Sequence, residues 1–203
     1  MSYNSYKLAE LISTRISHDL AGGIGSLDNL IDCLEEGEPL EAEDKKILDK
    51  TAKDLRARQK FLRVAFGIGA KEFSTQEFNG LCQDYIITTG SQSRNISLTI
   101  KNIMPDLAKY MCLCVLIAVE ITIKDANIII DVNKNNISIK IDSTAQLAIA
   151  KIEAYKQILN NEILDDRDAL QLIQLIYLRE ILGNDVPISL NTKEQNFAEI
   201  IIG

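Results

Sequence analysis

At 203 residues, with 46% hydrophobic and 25% charged side chains, the chain has the composition of a folded protein of one or two compact units rather than a disordered one. A formal net charge of −7 argues against wrapping nucleic acid or docking on an anionic membrane, both of which need concentrated cation, so the expected partners are proteins. The longest apolar run, Tyr110 to Val119, is too short to span the ~30 Å core of a bilayer, and Met1-Ser2-Tyr3-Asn4 has no signal-peptide features, so a cytoplasmic protein is expected.

From Tyr6 to Glu36 the residues Leu8, Ile12, Ile16, Leu20, Ile24, Leu27, Ile31 and Leu34 recur every three or four positions, the spacing of one helical face. Gly37-Glu38-Pro39 should stop this helix. A second pattern through Leu48, Ala52, Leu55, Leu62 and Phe66 runs to Gly67-Ile68-Gly69, where paired glycines end it. Two long helices and a short turn make a hairpin, which cannot enclose its own apolar face. Either the rest of the chain covers that face or a second copy does; the second copy is the simpler solution and would give a two-fold four-helix bundle.

Beyond residue 70 the texture changes. Ser74 to Tyr85 reads as a short helix with Ser74 and Glu77 forming a capping box, and Ile96-Ser97-Leu98-Thr99-Ile100 alternates like a strand. Pro105 opens a strongly apolar helix to about Lys124. Asn127 to Val132 and Ile137 to Ile141 read as strands around the turn Asn133-Lys134-Asn135-Asn136. Helical patterns follow over Ala145 to Asn160 and Asp166 to Leu182. Gly183-Asn184-Asp185 closes the last, and Val186 to Leu190 with Phe197 to Ile202 supplies a final strand pair. The expected fold is α+β: a helical hairpin over residues 1–70 that forms a four-helix bundle by dimerisation, then an α/β sandwich over residues 71–203. Cys33, Cys82, Cys112 and Cys114 lack C-x-x-C spacing and read as buried, reduced thiols, with no metal site expected.

His18 is the only histidine. On a wheel of 100° per residue it lies almost opposite the apolar stripe, so it should face solvent. The residues sharing its face, Thr14, Ala21, Gly22 and Gly25, are all small, and Arg15 puts a cation on the flank. Gly22, Gly23 and Gly25 inside a helix cost ~0.5–1 kcal/mol each relative to alanine. Bare backbone would let another protein's active site reach His18, although glycine at such positions also serves close packing against a neighbour. A neutral imidazole nitrogen is a nucleophile suited to phosphoryl relay. Asp19 could orient the ring and Arg15 steady phosphoryl charge. Ser17, His18 and Asp19, consecutive on one helix, cannot converge as a hydrolytic triad.

The block Arg15-Ile16-Ser17-His18-Asp19-Leu20-Ala21-Gly22-Gly23-Ile24-Gly25-Ser26-Leu27-Asp28-Asn29-Leu30 resembles the phospho-acceptor motif of dimerising histidine-kinase helices, and most closely that of the ChpT-type histidine phosphotransferases of alphaproteobacteria. The order of elements extends the resemblance over nearly the whole chain. It implies that His18 is the phosphorylated histidine, that Asp19 is the acidic residue following it, and that the second unit corresponds to a histidine-kinase ATP-binding domain. Gly23 stands where the kinases usually have a kink-forming proline. Gly22 replaces the Thr or Asn of phosphatase-competent kinases, which implies weak phosphatase activity.

An active kinase of this superfamily needs an Asn for Mg²⁺, an Asp-x-Gly-x-Gly for adenine and a glycine-rich lid. After Gly69 only Gly80, Gly90, Gly183 and Gly203 remain, Asp142-Ser143-Thr144-Ala145 lacks both adenine-motif glycines, and Glu120 falls near the expected Asn. The resemblance therefore implies a degenerate domain that neither binds nor hydrolyses ATP. It implies a homodimeric phosphotransferase without cofactor, Mg²⁺ being held by the partner receiver alone. Receiver domains of a hybrid histidine kinase and of response regulators would dock on Thr14, Ala21, Gly22 and Gly25. A receiver-binding adaptor without chemistry and a divergent autophosphorylating kinase remain the alternatives.

Overall fold

The computed structural model describes residues 4–35, 41–67, 72–89, 94–133, 136–162, 165–183 and 185–203, with the side chains of Cys33, Leu34, Glu35 and Asp166 outside that description. Gly37-Glu38-Pro39, Ile68-Gly69, Lys134-Asn135 and Asn184, used above as stops and turns, lie outside the described residues.

The first helical pattern is an unbroken helix, α1 (Ser5–Glu35), and the second is α2 (Ala42–Phe66). α2 opens on a capping box, the Glu41 amide donating to Asp44 Oδ2 at 2.9 Å. Its stop works differently from expectation. Gly67 has extended backbone (φ −77°, ψ 175°) rather than the left-handed cap that paired glycines suggest. A Cβ there would lie 2.1 Å from the Arg63 carbonyl oxygen that accepts the Gly67 amide, so clearance selects glycine.

α3 (Thr75–Thr89) carries the expected Ser74–Glu77 capping box and runs four residues past Tyr85. It is pinned to α2 by the stack of Tyr85 on Phe61, centroids 4.0 Å apart. A 3₁₀ turn, Pro105–Leu107, leads into α4 (Ala108–Ile121), which is buried all round and occupies the centre of the core.

The five strands are β1 (Ile96–Ile100), β2 (Ala126–Val132), β3 (Ile137–Ser143), β4 (Ile188–Glu194) and β5 (Phe197–Ile202), in the order β1-β2-β3-β5-β4. α4 is the crossover that makes β1 parallel to β2; the other pairs are antiparallel. Ile128, Ile130, Ile139, Ile141, Ile200 and Ile202 point into the helical layer, while Asn127, Lys140 and Asp142 lie on the opposite, open face. The fold is thus α+β, a helical hairpin followed by a five-stranded mixed sheet with helices on one side.

Two expected helices differ from the observed ones. The first is shorter, α5 (Ile149–Leu159), because residues 144–148 are held as loop by bonds such as Leu147 amide to the Gln195 carbonyl and Ala148 amide to the Ile121 carbonyl. The second breaks at Leu172 into α6 (Asp166–Gln171) and α7 (Ile173–Leu182). Around the break Leu172, Leu175 and Leu178 enter the main core, while Ala169, Ile173 and Ile176 pack on Leu11 of α1.

The apolar stripe of α1 accordingly has two fates. Leu8, Leu11 and Ile12 are covered by α6 and α7, and Ile16 and Leu20 join the main core. Ile24 and Ile31 stay 50% exposed, beside half-open Ile47 and Leu48 of α2. The chain's own second unit therefore covers one half of the hairpin face and leaves the other open.

Cys82, Cys112 and Cys114 are buried free thiols; Cys33's side chain is outside the description. Burial pushes the Cys114 thiol up to about 12 and raises Cys112, the latter also through contact with Cys82. Burial likewise raises Tyr85 and Tyr155. Groups whose pKa is higher folded than unfolded stabilise fully below the unfolded value and lose that contribution as pH rises. Urea unfolding under reducing conditions should show stability constant near neutrality and falling progressively above about pH 8.5, where the unfolded thiols ionise and the buried ones do not, Cys112 and Cys114 contributing most.

Candidate functional site

His18 is exposed on α1, and Thr14, Ala21, Gly22 and Gly25 around it are exposed too. The hydroxyls nearby are folded back onto the helix: Thr14 donates to the Glu10 carbonyl at 2.8 Å and Ser26 to the Gly22 carbonyl at 3.0 Å. The three glycines divide into two kinds. A Cβ on Gly22 or Gly25 would meet nothing within 4 Å, whereas one on Gly23 would stand 2.6 Å from Leu55 Cδ2. Gly23 is a packing glycine that lets α2 approach α1; Gly22 and Gly25 keep the outer surface bare. The helix passes through Gly23 without a break.

Arg15 and Asp19, one turn apart, are bonded to each other rather than to the imidazole. Arg15 Nε donates to both Asp19 oxygens at 3.1 and 3.0 Å, and Nη2 reaches Glu120 Oε1 of α4 at 2.6 Å. Burial works against the charge on Arg15, but Glu120 and Asp19 outweigh it and raise its pKa. The other oxygen of Glu120, Oε2, accepts from Tyr155 at 2.9 Å and Gln174 at 2.5 Å, with Lys151 at 3.5 Å. Glu120, the residue near the expected Mg²⁺-binding Asn, is thus spent on a half-buried network that ties the sheet unit to the turn of α1 bearing His18.

Sequence reasoning did not find Arg58. From α2 its Nη1 donates to the Asp19 carbonyl at 2.6 Å, while Nε and Nη2 hold the Thr88 hydroxyl and carbonyl at the end of α3. The signal was available: Arg58 falls three after Leu55 and four before Leu62, a cation inside the apolar stripe of α2. Arg94 similarly grips the Thr122 and Thr89 carbonyls at 2.9 and 3.2 Å. Between these groups a cleft of about 400 Å³ opens at His18, walled by Arg58, Tyr85, Arg94, Glu120 and Lys151. An exposed imidazole at the lip of a cation-lined cleft has the parts for handling an anionic transferable group. The segment near the expected adenine motif is closed on itself, Thr144 amide and Ser143 hydroxyl both donating to the Asp125 carbonyl at 2.9 and 3.2 Å. Among the described residues no His, Cys, Asp and Glu group is arranged to hold a metal ion, and no helix is long and apolar enough to cross a membrane.

No protein-family profile and no curated protein matches the sequence. Among solved structures, a bacterial phosphotransferase is similar over 100% of this chain and 98% of its own, at 16% identity and a TM-score of 0.77. The chain has the fold of that phosphotransferase. Two histidine kinases align less well, AdeS of Acinetobacter baumannii (13% identity, 91% of this chain, 95% of that one, TM-score 0.45) and one from Burkholderia phymatum STM815 (13%, 98%, 95%, 0.40). At 16% identity the likeness speaks for the fold, and the chemistry rests on the residues around His18.

Removing one member of a half-buried pair strands the other. Arg15→Ala should destabilise the protein by about 3 kcal/mol in urea unfolding. Glu120→Gln in the Arg15→Ala background should cost much less than in the wild type, a coupling readable from the double-mutant cycle.

Proposed function

We propose that the chain is a histidine phosphotransferase of a bacterial multistep phosphorelay, taking a phosphoryl group from a receiver-domain aspartate onto His18 and passing it to another receiver. The observation that carries this reading is the exposed imidazole at the lip of the cation-lined cleft, beside the bare backbone of Gly22 and Gly25. The fold shared with a bacterial phosphotransferase supports it.

In the proposed step an imidazole nitrogen of His18 attacks phosphorus, the P–N bond forms as the P–O bond to the donor aspartate breaks, and the leaving carboxylate remains with the donor. The reverse sequence delivers the group to the acceptor aspartate, so no redox partner or nucleotide is consumed. Mg²⁺ belongs to the receivers, and this chain supplies no cofactor. Thr14, Ala21, Gly22 and Gly25 form the docking ground around the ring. Arg15 and Asp19 brace the turn that bears His18, with Arg58 securing its backbone from the other helix. A kinase reading is less favoured because Glu120 is engaged by Arg15, Tyr155 and Gln174, leaving little for a nucleotide-bound metal.

The half-open apolar end of the hairpin, Ile24 and Ile31 with Ile47 and Leu48, supports a homodimer built as a four-helix bundle. Residues 1–70 would be the dimerisation and phosphotransfer unit and 71–203 the degenerate ATPase-like one.

Incubation with a receiver carrying aspartyl phosphate should place acid-labile, base-stable label on the wild type and none on His18→Ala. Label persisting on that variant sinks the site, and binding without label on either protein points to an adaptor. Light scattering should give twice the chain mass for the wild type and the single-chain mass for Ile24→Glu/Ile31→Glu, both folded.

A further inference from the structure

α2 concentrates positive charge in a chain of net −7. From Ala52 onward it holds Lys53, Arg56, Arg58, Lys60 and Arg63 against one carboxylate, Asp54. Arg58 turns inward to the Asp19 carbonyl. The other four, spaced three, four and three residues apart, share one face and are all exposed. Asp54 is taken by Lys50 at 2.8 Å and Lys53 by Asp49 at 2.6 Å. Among the described residues Arg56, Lys60 and Arg63 have no anionic partner.

Beside this face a cleft of about 310 Å³ opens between α2 and α3, with Lys53, Arg56 and Lys60 on one wall and Asp84 and Ile87 on the other. Ile87 is 65% exposed, an apolar side chain on a charged rim. The cleft shares Asp54 and Thr88 with a second one floored by Gly22 and Gly23, and that one shares Arg58 with the cleft at His18. The three depressions are neighbours that share side chains, and together they make an interrupted groove, crossed by Arg58 where it joins the Asp19 and Thr88 carbonyls.

We infer that this groove docks an acidic protein surface, with Arg56, Lys60 and Ile87 as its outer arm. The inference rests on the relay reading and adds the chemistry of the partner. A domain that bears aspartyl phosphate and Mg²⁺ gathers carboxylates around them, because Mg²⁺ takes oxygen ligands. Such a face is anionic, and a partner delivering it to His18 across Gly22 overlies α2. The exposed cations steer the encounter and Ile87 supplies a contact that loses water on binding. A nucleic acid or anionic bilayer fits less well, since Asp54 and Asp84 interrupt the groove and the rest of the chain is negative.

Receiver domains from the same genome, loaded with acetyl phosphate and Mg²⁺, are the probe. In Arg56→Glu/Lys60→Glu the second-order rate of label transfer to His18 should fall about tenfold at about 50 mM salt, and its salt dependence should flatten. The rate at saturating receiver, the melting temperature and the chain mass in solution should stay as in wild type, and Arg56→Lys/Lys60→Arg should transfer normally. Equal second-order rates and salt slopes in wild type and charge-reversed protein, with both labelled, overturn the docking groove and leave the relay standing. Wild type that takes no label from any receiver removes both. Retention on phosphatidylglycerol vesicles that the double reversal abolishes would overturn the assignment to a protein partner.

Discussion

The contact between Arg15 and Glu120 is the constraint on which the geometry of the site depends. One guanidinium closes two carboxylates at once, one on its own helix and one on α4, and α4 is the crossover of the sheet and the centre of the core. Both ends of the pair are largely shielded from water, where a bond between charges is stronger and an unpaired charge more costly. The hairpin and the sheet unit are therefore coupled at the turn that carries His18. Arg58 fastens the same turn from the opposite side through the Asp19 carbonyl, so the imidazole is exposed while the backbone beneath it is held on two flanks. In the proposed relay that combination would favour transfer, because ordering is completed before the encounter.

The glycines show how one sequence feature serves two needs. Gly22, Gly23 and Gly25 look alike in the chain and each weakens the helix. Only Gly23 meets a neighbour that a side chain would displace, and that neighbour, Leu55, lies on the hairpin's inner face. Gly22 and Gly25 face open space, so no packing among the described residues accounts for them. The distinction turns on a rotation of 100° per residue along α1, which places adjacent glycines on different surfaces.

Most of the architecture was legible because it is written in local periodicities. α1, α2, the Ser74–Glu77 cap, the β2–β3 hairpin around Asn133 and Asn136, and the final strand pair all follow from spacing and turn residues within a dozen positions. What was not legible is set by distant partners. The pattern from Asp166 to Leu182 is continuous in sequence, yet the chain breaks at Leu172, and its apolar residues are shared between two clusters that only the folded chain defines. Gly67 reads as a left-handed stop, but its reason is a single carbonyl that a Cβ would strike. At the site, the outward position of His18 and its small neighbours came from the wheel. The partners of Arg15 and Asp19 did not, since Glu120 lies about a hundred residues away.

Charge segregation connects these strands. In a chain of net charge −7, the second half of α2 gathers lysines and arginines and holds a single carboxylate, Asp54. Helical stability does not require this, because isolated i,i+4 pairs would stabilise α2 slightly better than unpaired cations repelling one another. Nor does solubility, which the net negative charge already favours. The cations line a cleft that borders the one floored by Gly22 and Gly23, which in turn shares Arg58 with the cleft at His18. This is the charge pattern that the proposed docking of an acidic partner would use.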